Sequence, residues 1–147
     1  MNLRNFKRVA WAAVVAVASL PALAAPTAAE AKNQQLVMNW YREVVFFGHT
    51  ELASKYMASS YIEHDPNVGA DLSSFVKHYG GSPKPIQAKL LKGPVVAFAK
   101  GDYVTLVWER DDKDPKSSTP YKYNFYDIVR VKDGKIQEHW NSARVAP

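Results

Sequence analysis

The chain has 147 residues, 47% of them apolar, which is enough to bury one good core and hardly two. Its formal charge is +5, but Arg4, Lys7 and Arg8 supply three of the 19 basic residues within the first 24 positions, where none of the 14 acidic ones lies. The remainder carries 16 basic against 14 acidic residues, a net of +2, too even a balance for the electrostatic footprint of a nucleic-acid-binding protein.

Residues 1–24 read as a secretory signal peptide. The three basic residues precede an apolar run of about a dozen, and Ala22-Leu23-Ala24 supplies the small-residue site for a cut before Ala25. A membrane anchor fits less well, because a spanning helix needs about 20 apolar residues and Pro21 interrupts the run after Leu20. The expectation is one domain over residues 25–147, periplasmic or secreted and without membrane attachment after cleavage. Cysteine is absent, so such a chain stands on core packing rather than disulfides and has no thiol to acylate.

Thr27-Ala28-Ala29-Glu30 has the T-x-x-E pattern of a capping box and predicts a helix. Leu36, Trp40, Val44 and Phe47 recur at helical spacing, with Val37, Tyr41 and Val45 beside them, until Gly48 ends the run. Thr50 predicts the cap of a short second helix, "ELASKYMA", with Leu52, Ala53 and Tyr56 facing inward. "SYIEHDPNVGAD" is rich in turn formers, and Asp71 predicts the cap of a third helix, "LSSFVKHY", ended by Gly80-Gly81.

From Ile86 the period changes to two. "IQAKLLKG", "VVAFAKGDYVTLVWER", "YKYNFYDIVRV" and "KIQEHWNSARV" predict antiparallel strands, with residues 111–120, "DDKDPKSSTP", as the longest hairpin loop. Helices first and an antiparallel meander last make an α+β domain with the helices on one face of the sheet.

The hairpin at Lys132-Asp133-Gly134 decides which side chains share a face. A type I turn with a bulge at Gly134 sets Val131 against Lys135, Val129 against Gln137, Asp127 against His139 and Phe125 against Asn141. Tyr126, Ile128, Arg130, Ile136, Glu138 and Trp140 then face the other way. A two-residue turn instead sets Asp127 against Trp140. The bulged form gathers the ionisable residues on one face and makes Asp127 and His139 either an acid/base pair or a buried hydrogen bond that fills the sheet.

The order of elements, together with "YIEHDPNVGAD", "GDYVTLVWER", "YDIVRVKDGKI" and "EHWNS", resembles the SnoaL-like polyketide cyclase family of the NTF2-like superfamily, from roughly Asn33 to Ser142. The resemblance implies an α+β cone: N-terminal helices packed on a curved antiparallel sheet around an apolar pocket. It implies cofactor-free acid/base chemistry in the members that are enzymes, namely cyclases and isomerases or lyases acting on small carbonyl compounds. It equally implies binding modules without turnover, and homodimers. It makes Tyr61 and His64 ligand contacts at the pocket rim.

Trp40, Phe75, Trp108 and Phe125 are candidate pocket walls, although each aromatic taken singly is more often core. In the family's cyclases an Asp commonly follows the His-Trp pair. Here Asn141 does, and an amide can hold a developing oxyanion but cannot abstract a proton. A base must therefore be Asp127, His139 or His64. No H-x-x-x-H or H-E-x-x-H spacing points to a metal, and no phosphate loop or G-x-S-x-G elbow is present, so the expected partner is a small apolar molecule and no cofactor.

Overall fold

The computed structural model describes residues 25–144, and the export segment expected at residues 1–24 lies outside them. The first helix, α1 (Ala28–Trp40), starts as its sequence dictates. Thr27 Oγ1 accepts from the Glu30 amide at 3.2 Å, and Glu30 Oε2 accepts from the Thr27 amide at 2.7 Å. Glu30 Oε1 also accepts from the Gly101 amide at 2.9 Å, so the cap fastens the helix to a distant strand turn. The backbone bonds from Gly101 and Thr27 hold its carboxyl down at about 2. Thr27→Ala is expected to cost about 1 kcal/mol, read as a lower urea midpoint with an unchanged slope.

The helix does not end at Trp40. It widens into a π-helical segment, Tyr41–Phe46, before Gly48 turns the chain at φ +75. Trp40 and Val44 stay buried in the core, while Tyr41, Val45 and Phe46 reach a cavity beside it. Such wide turns are rare and recur at functional sites.

The second helix is shorter than the periodicity predicts. A 3-10 turn (Thr50–Leu52) leads into α2 (Ala53–Tyr56), with no side-chain cap on either. Met57 already opens a strand, β1 (Met57–Glu63), within residues read as helix end and turn. Met57, Tyr61 and Glu63 are buried and the strand pairs in parallel with the last strand of the chain; partners far along the sequence outweigh local preference here. Helix α3 (Leu72–Tyr79) matches its prediction, with the Asp71 side chain accepting from the Ser74 amide at 2.8 Å.

The remaining strands are β2 (Val96–Lys100), β3 (Tyr103–Lys113), β4 (Pro120–Lys132) and β5 (Lys135–Asn141). They form one sheet in the order β1-β5-β4-β3-β2. The four later strands are antiparallel as predicted, and β1 makes the sheet mixed. No strand forms over 86–93, where Pro85 and Pro94 bracket the segment and Leu91 is fully exposed. Conversely, the loop predicted at 111–120 shrinks, because Asp111 pairs with Lys122, Asp112 with Tyr121 and Lys113 with Pro120. These polar rungs lie beyond the core, and Tyr121 donating to Asp112 at 3.1 Å helps hold them.

The β4–β5 hairpin follows neither predicted register. Asp133 and Gly134 form a two-residue turn, both with positive φ, so Lys132 opposes Lys135 and Val131 opposes Ile136. One surplus residue, Gln137, then shifts the ladder, so that Arg130 opposes Glu138, Val129 opposes His139 and Asp127 opposes Asn141. The shift of two from the bulged prediction preserves parity, so Phe125, Asp127, His139 and Asn141 still share the inner face. Ile136 is the exception, for it precedes the bulge and is buried rather than outward. Between this face and the helices lies the core, centred on Trp40, Met57, Phe75, Leu106, Val129 and Ile136. Among the described residues no helix is long and apolar enough to cross a membrane.

Candidate functional site

His139 lies between two carboxylates. Its Nδ1 faces Glu63 Oε1 at 3.0 Å and its Nε2 faces Asp127 Oδ1 at 3.0 Å. Between two ionised carboxylates both ring nitrogens donate, which only the imidazolium can do. Burial pulls its pKa down, but the hydrogen bonds to Asp127 and Glu63 and their charges outweigh burial and raise it to about 9. The row continues at both ends: Tyr61 donates to Glu63 Oε2 at 2.5 Å, and Trp108 Nε1 donates to Asp127 Oδ2 at 2.6 Å. The amides of His64 and Asp65 also donate to Glu63, each at 3.0 Å.

Asp127 is the end of this row that meets a cavity of about 750 Å³, open to solvent, between the π-helical segment, α3 and the inner face of the sheet. Its aromatic wall is continuous, with the Tyr41 and Trp108 rings 4.9 Å apart and Phe46 and Trp108 5.5 Å apart. The Tyr41 hydroxyl is beside Asp127. Burial first, and then the Asp127 charge, push that phenol well above its ordinary range, so it stays a proton donor. Tyr79 lines the same space and is pushed up by burial and by the surrounding carboxylates.

The residues singled out from the sequence divide into three groups. Asp127, Asn141, Trp108 and Phe125 line the cavity. His139 stands behind Asp127, while Trp40, Tyr61 and Phe75 belong to the core, Trp40 packing on Phe75 at 5.7 Å and Tyr61 on Phe75 at 5.8 Å. None of these three lines the cavity. His64 is on the opposite side of the sheet, stacked on Trp140 at 4.6 Å with its Nε2 3.2 Å from Glu138. It follows inward-facing Glu63 on an alternating strand, so it points away from the rim where it was expected.

Asn141 has a partner that sequence reading missed. Its Nδ2 donates to Asp65 Oδ2 at 2.6 Å, and its Oδ1 accepts from the Ala143 amide at 2.9 Å. A carboxylate therefore does stand at this end of β5, contributed by the loop after β1 instead of by β5 itself. Burial raises the Asp65 pKa, but bonds from Asn141 and Asn67 outweigh it and leave the group below its ordinary 3.8. Glu63 was legible only if 57–63 is read as a strand, since Tyr61 and Glu63 then alternate inward. Among the described residues no group of three His, Asp or Glu side chains is arranged to hold a metal ion.

No family model matches the chain, and no curated protein matches its sequence. Solved structures do match by shape. A candidate polyketide cyclase from Acidithiobacillus ferrooxidans superposes with a TM-score of 0.53 at 21% identity, over 75% of this chain and 86% of that one. A candidate SnoaL-like polyketide cyclase from Jannaschia sp. CCS1 gives 0.54 at 13% identity, over 81% and 91%. IdmH, a candidate polyketide cyclase from Streptomyces antibioticus, gives 0.52 at 18% identity, over 74% and 89%. Helices on one face of a five-stranded mixed sheet, with these structural neighbours, give the chain an α+β fold like that of the candidate SnoaL-like polyketide cyclases.

Proposed function

We propose that the chain is a cofactor-free acid/base catalyst of the cyclase, isomerase or lyase kind, acting on a small, largely apolar carbonyl compound bound in the cavity. One observation carries this reading: Asp127 is a buried carboxylate at the cavity floor, with the His139 imidazolium fixed behind it at 3.0 Å. His139 is already protonated and is not the base; it positions Asp127 and balances its charge. Asp65 is the weaker choice, because it stands in the loop after β1 and is not fixed by the buried His139 row. Asn141 keeps one N–H beyond the one it gives Asp65 and lines the same cavity, so it is placed to hold a developing enolate oxygen. The cyclase assignments of the structural neighbours support the reaction class. The experiment is α-proton exchange of aromatic ketones and β-dicarbonyls in D2O, followed by proton NMR. Catalysed exchange supports the reading; binding without exchange sinks it.

A second reading, a carrier or sensor without turnover, is favoured by the fact that both Asp127 oxygens already accept hydrogen bonds. The same exchange experiment separates the two. Residues 1–24 support export to the periplasm or beyond, testable as loss of that segment from the mature protein. The outer sheet face supports a homodimer. Phe98, Tyr126 and Ile128 are 52, 47 and 41% exposed, and register aligns Phe98, Thr105, Ile128 and Trp140 in one row across four strands. Ile128→Glu is expected to convert dimer to monomer in sedimentation velocity, while ligand affinity stays within about twofold.

A further inference from the structure

The charged side chains of the cavity wall are nearly all spoken for. Asp127 accepts from Trp108 and His139, and Asp65 from Asn141 and Asn67. Glu109 meets Lys122 at 2.7 Å and Lys92 at 3.5 Å, and Lys92 also meets Asp111 at 3.2 Å. Arg110 is different. It lines the cavity, and no carboxylate among the described residues pairs with it. Its guanidinium lies over the Phe125 ring, 4.1 Å from the centroid.

Strand alternation explains the difference. Glu109 and Asp111 alternate with Arg110 along β3 and pair with their lysines at the cavity's edge, whereas Arg110 shares the parity of Leu106 and Trp108 and lies at the open end of their row. A guanidinium resting on an aromatic ring has its flat side satisfied and its N–H fork free at the edge. That fork matches the two oxygens of a carboxylate, sulfonate or phosphate better than any other partner.

Arg110 pairs across the sheet with Tyr123, Trp108 with Phe125 and Leu106 with Asp127. The Arg110 row is thus two inward rows from the Asp127 row, about 13 Å of strand, which the lean of Arg110 back over Phe125 shortens. Aromatic rings wall the interval between them.

We propose that Arg110 is the anchor for an anionic group on the ligand. The molecule is then a flat, conjugated carbonyl compound about two rings long, its carbonyl end at Asp127 and a carboxylate or like anion at Arg110. This rests on the cavity being the ligand site, and it adds the ligand's charge and polarity to that reading.

The test uses two fluorescent probes of similar size and shape, 8-anilinonaphthalene-1-sulfonate, which is an anion, and N-phenyl-1-naphthylamine, which is neutral. With the full mature protein, both are expected to bind. Arg110→Gln is expected to weaken the anionic probe about tenfold or more while leaving the neutral one within twofold; Arg110→Lys, which keeps charge without the fork, should recover part of the loss. Equal weakening of both probes, or an unchanged anionic probe, overturns the anchor while leaving the exchange result standing. Failure of the wild type to bind either probe overturns the cavity as ligand site and the anchor with it.

Discussion

Asp127→Asn is expected to lower α-proton exchange by 10²- to 10⁴-fold, the usual contribution of a positioned general base, while ligand affinity changes by no more than a few-fold. The amide has the carboxylate's shape, so the cavity floor keeps its form and Trp108 Nε1 keeps an acceptor. What changes is the partner offered to His139. An Asn amide N–H turned toward Nε2 cannot coexist with the proton that His139 now donates there to Asp127 Oδ1. The ring must then become neutral, with only Nδ1–H left for Glu63. The same variant therefore predicts a fall in the His139 pKa from about 9, visible in the pH titration of its ring protons. Loss of exchange together with that fall identifies Asp127 as base and His139 as its support. Unchanged exchange with the fall removes Asp127 from the chemistry and leaves the buried row as architecture.

His139→Leu is expected to cost 3–5 kcal/mol of stability, because it leaves Glu63 and Asp127 as two buried carboxylates with no cation between them. A milder version of the same effect comes from pH alone. The His139 pKa is about 9 in the folded chain against 6.5 for a free imidazole, so the native state holds this proton more tightly than the unfolded one. The resulting stabilisation is fully present below pH 6.5 and disappears as pH rises through 9. Its size is on the order of 3 kcal/mol. Urea unfolding at a series of pH values should show a falling midpoint across that window. His49 is also raised, by Glu51 and the Lys84 carbonyl, and contributes in the same direction, so the diagnostic quantity is the difference between wild type and a His139→Gln variant. If the two slopes coincide, His139 is not the imidazolium described here.

The elements that announced themselves in the sequence are those whose signals are local. The capping box at Thr27, the Asp71 cap and the long apolar alternation of β3 and β4 each need only a few adjacent residues to be recognised. Strand β1 was illegible for the opposite reason: "MASSYIE" has little strand character of its own and is drawn into the sheet by β5, more than 70 residues later. Missing it hid Glu63 and misplaced His64, since one step of alternation separates the centre of the buried row from the outer surface. Trp40, Tyr61 and Phe75 show a second limit, for composition tells that an aromatic is buried but not whether a void adjoins it. Asn141 was correctly read as unable to titrate, yet its role depended on Asp65, a contact between segments that no spacing rule connects.

The surplus residue at Gln137 shapes the hairpin without setting its register. Every rung of the hairpin beyond it is in step as though that position did not exist, so shortening β5 by this one amino acid would leave Asp127 opposite Asn141 and Val129 opposite His139. What it would remove is the local bend and extra twist that such an insertion imposes, just where β1 also slips against β5 between Met57 and Ile62. Loss of this one residue would thus flatten the hairpin end of the sheet while Asp127, His139 and Asn141 kept their common face.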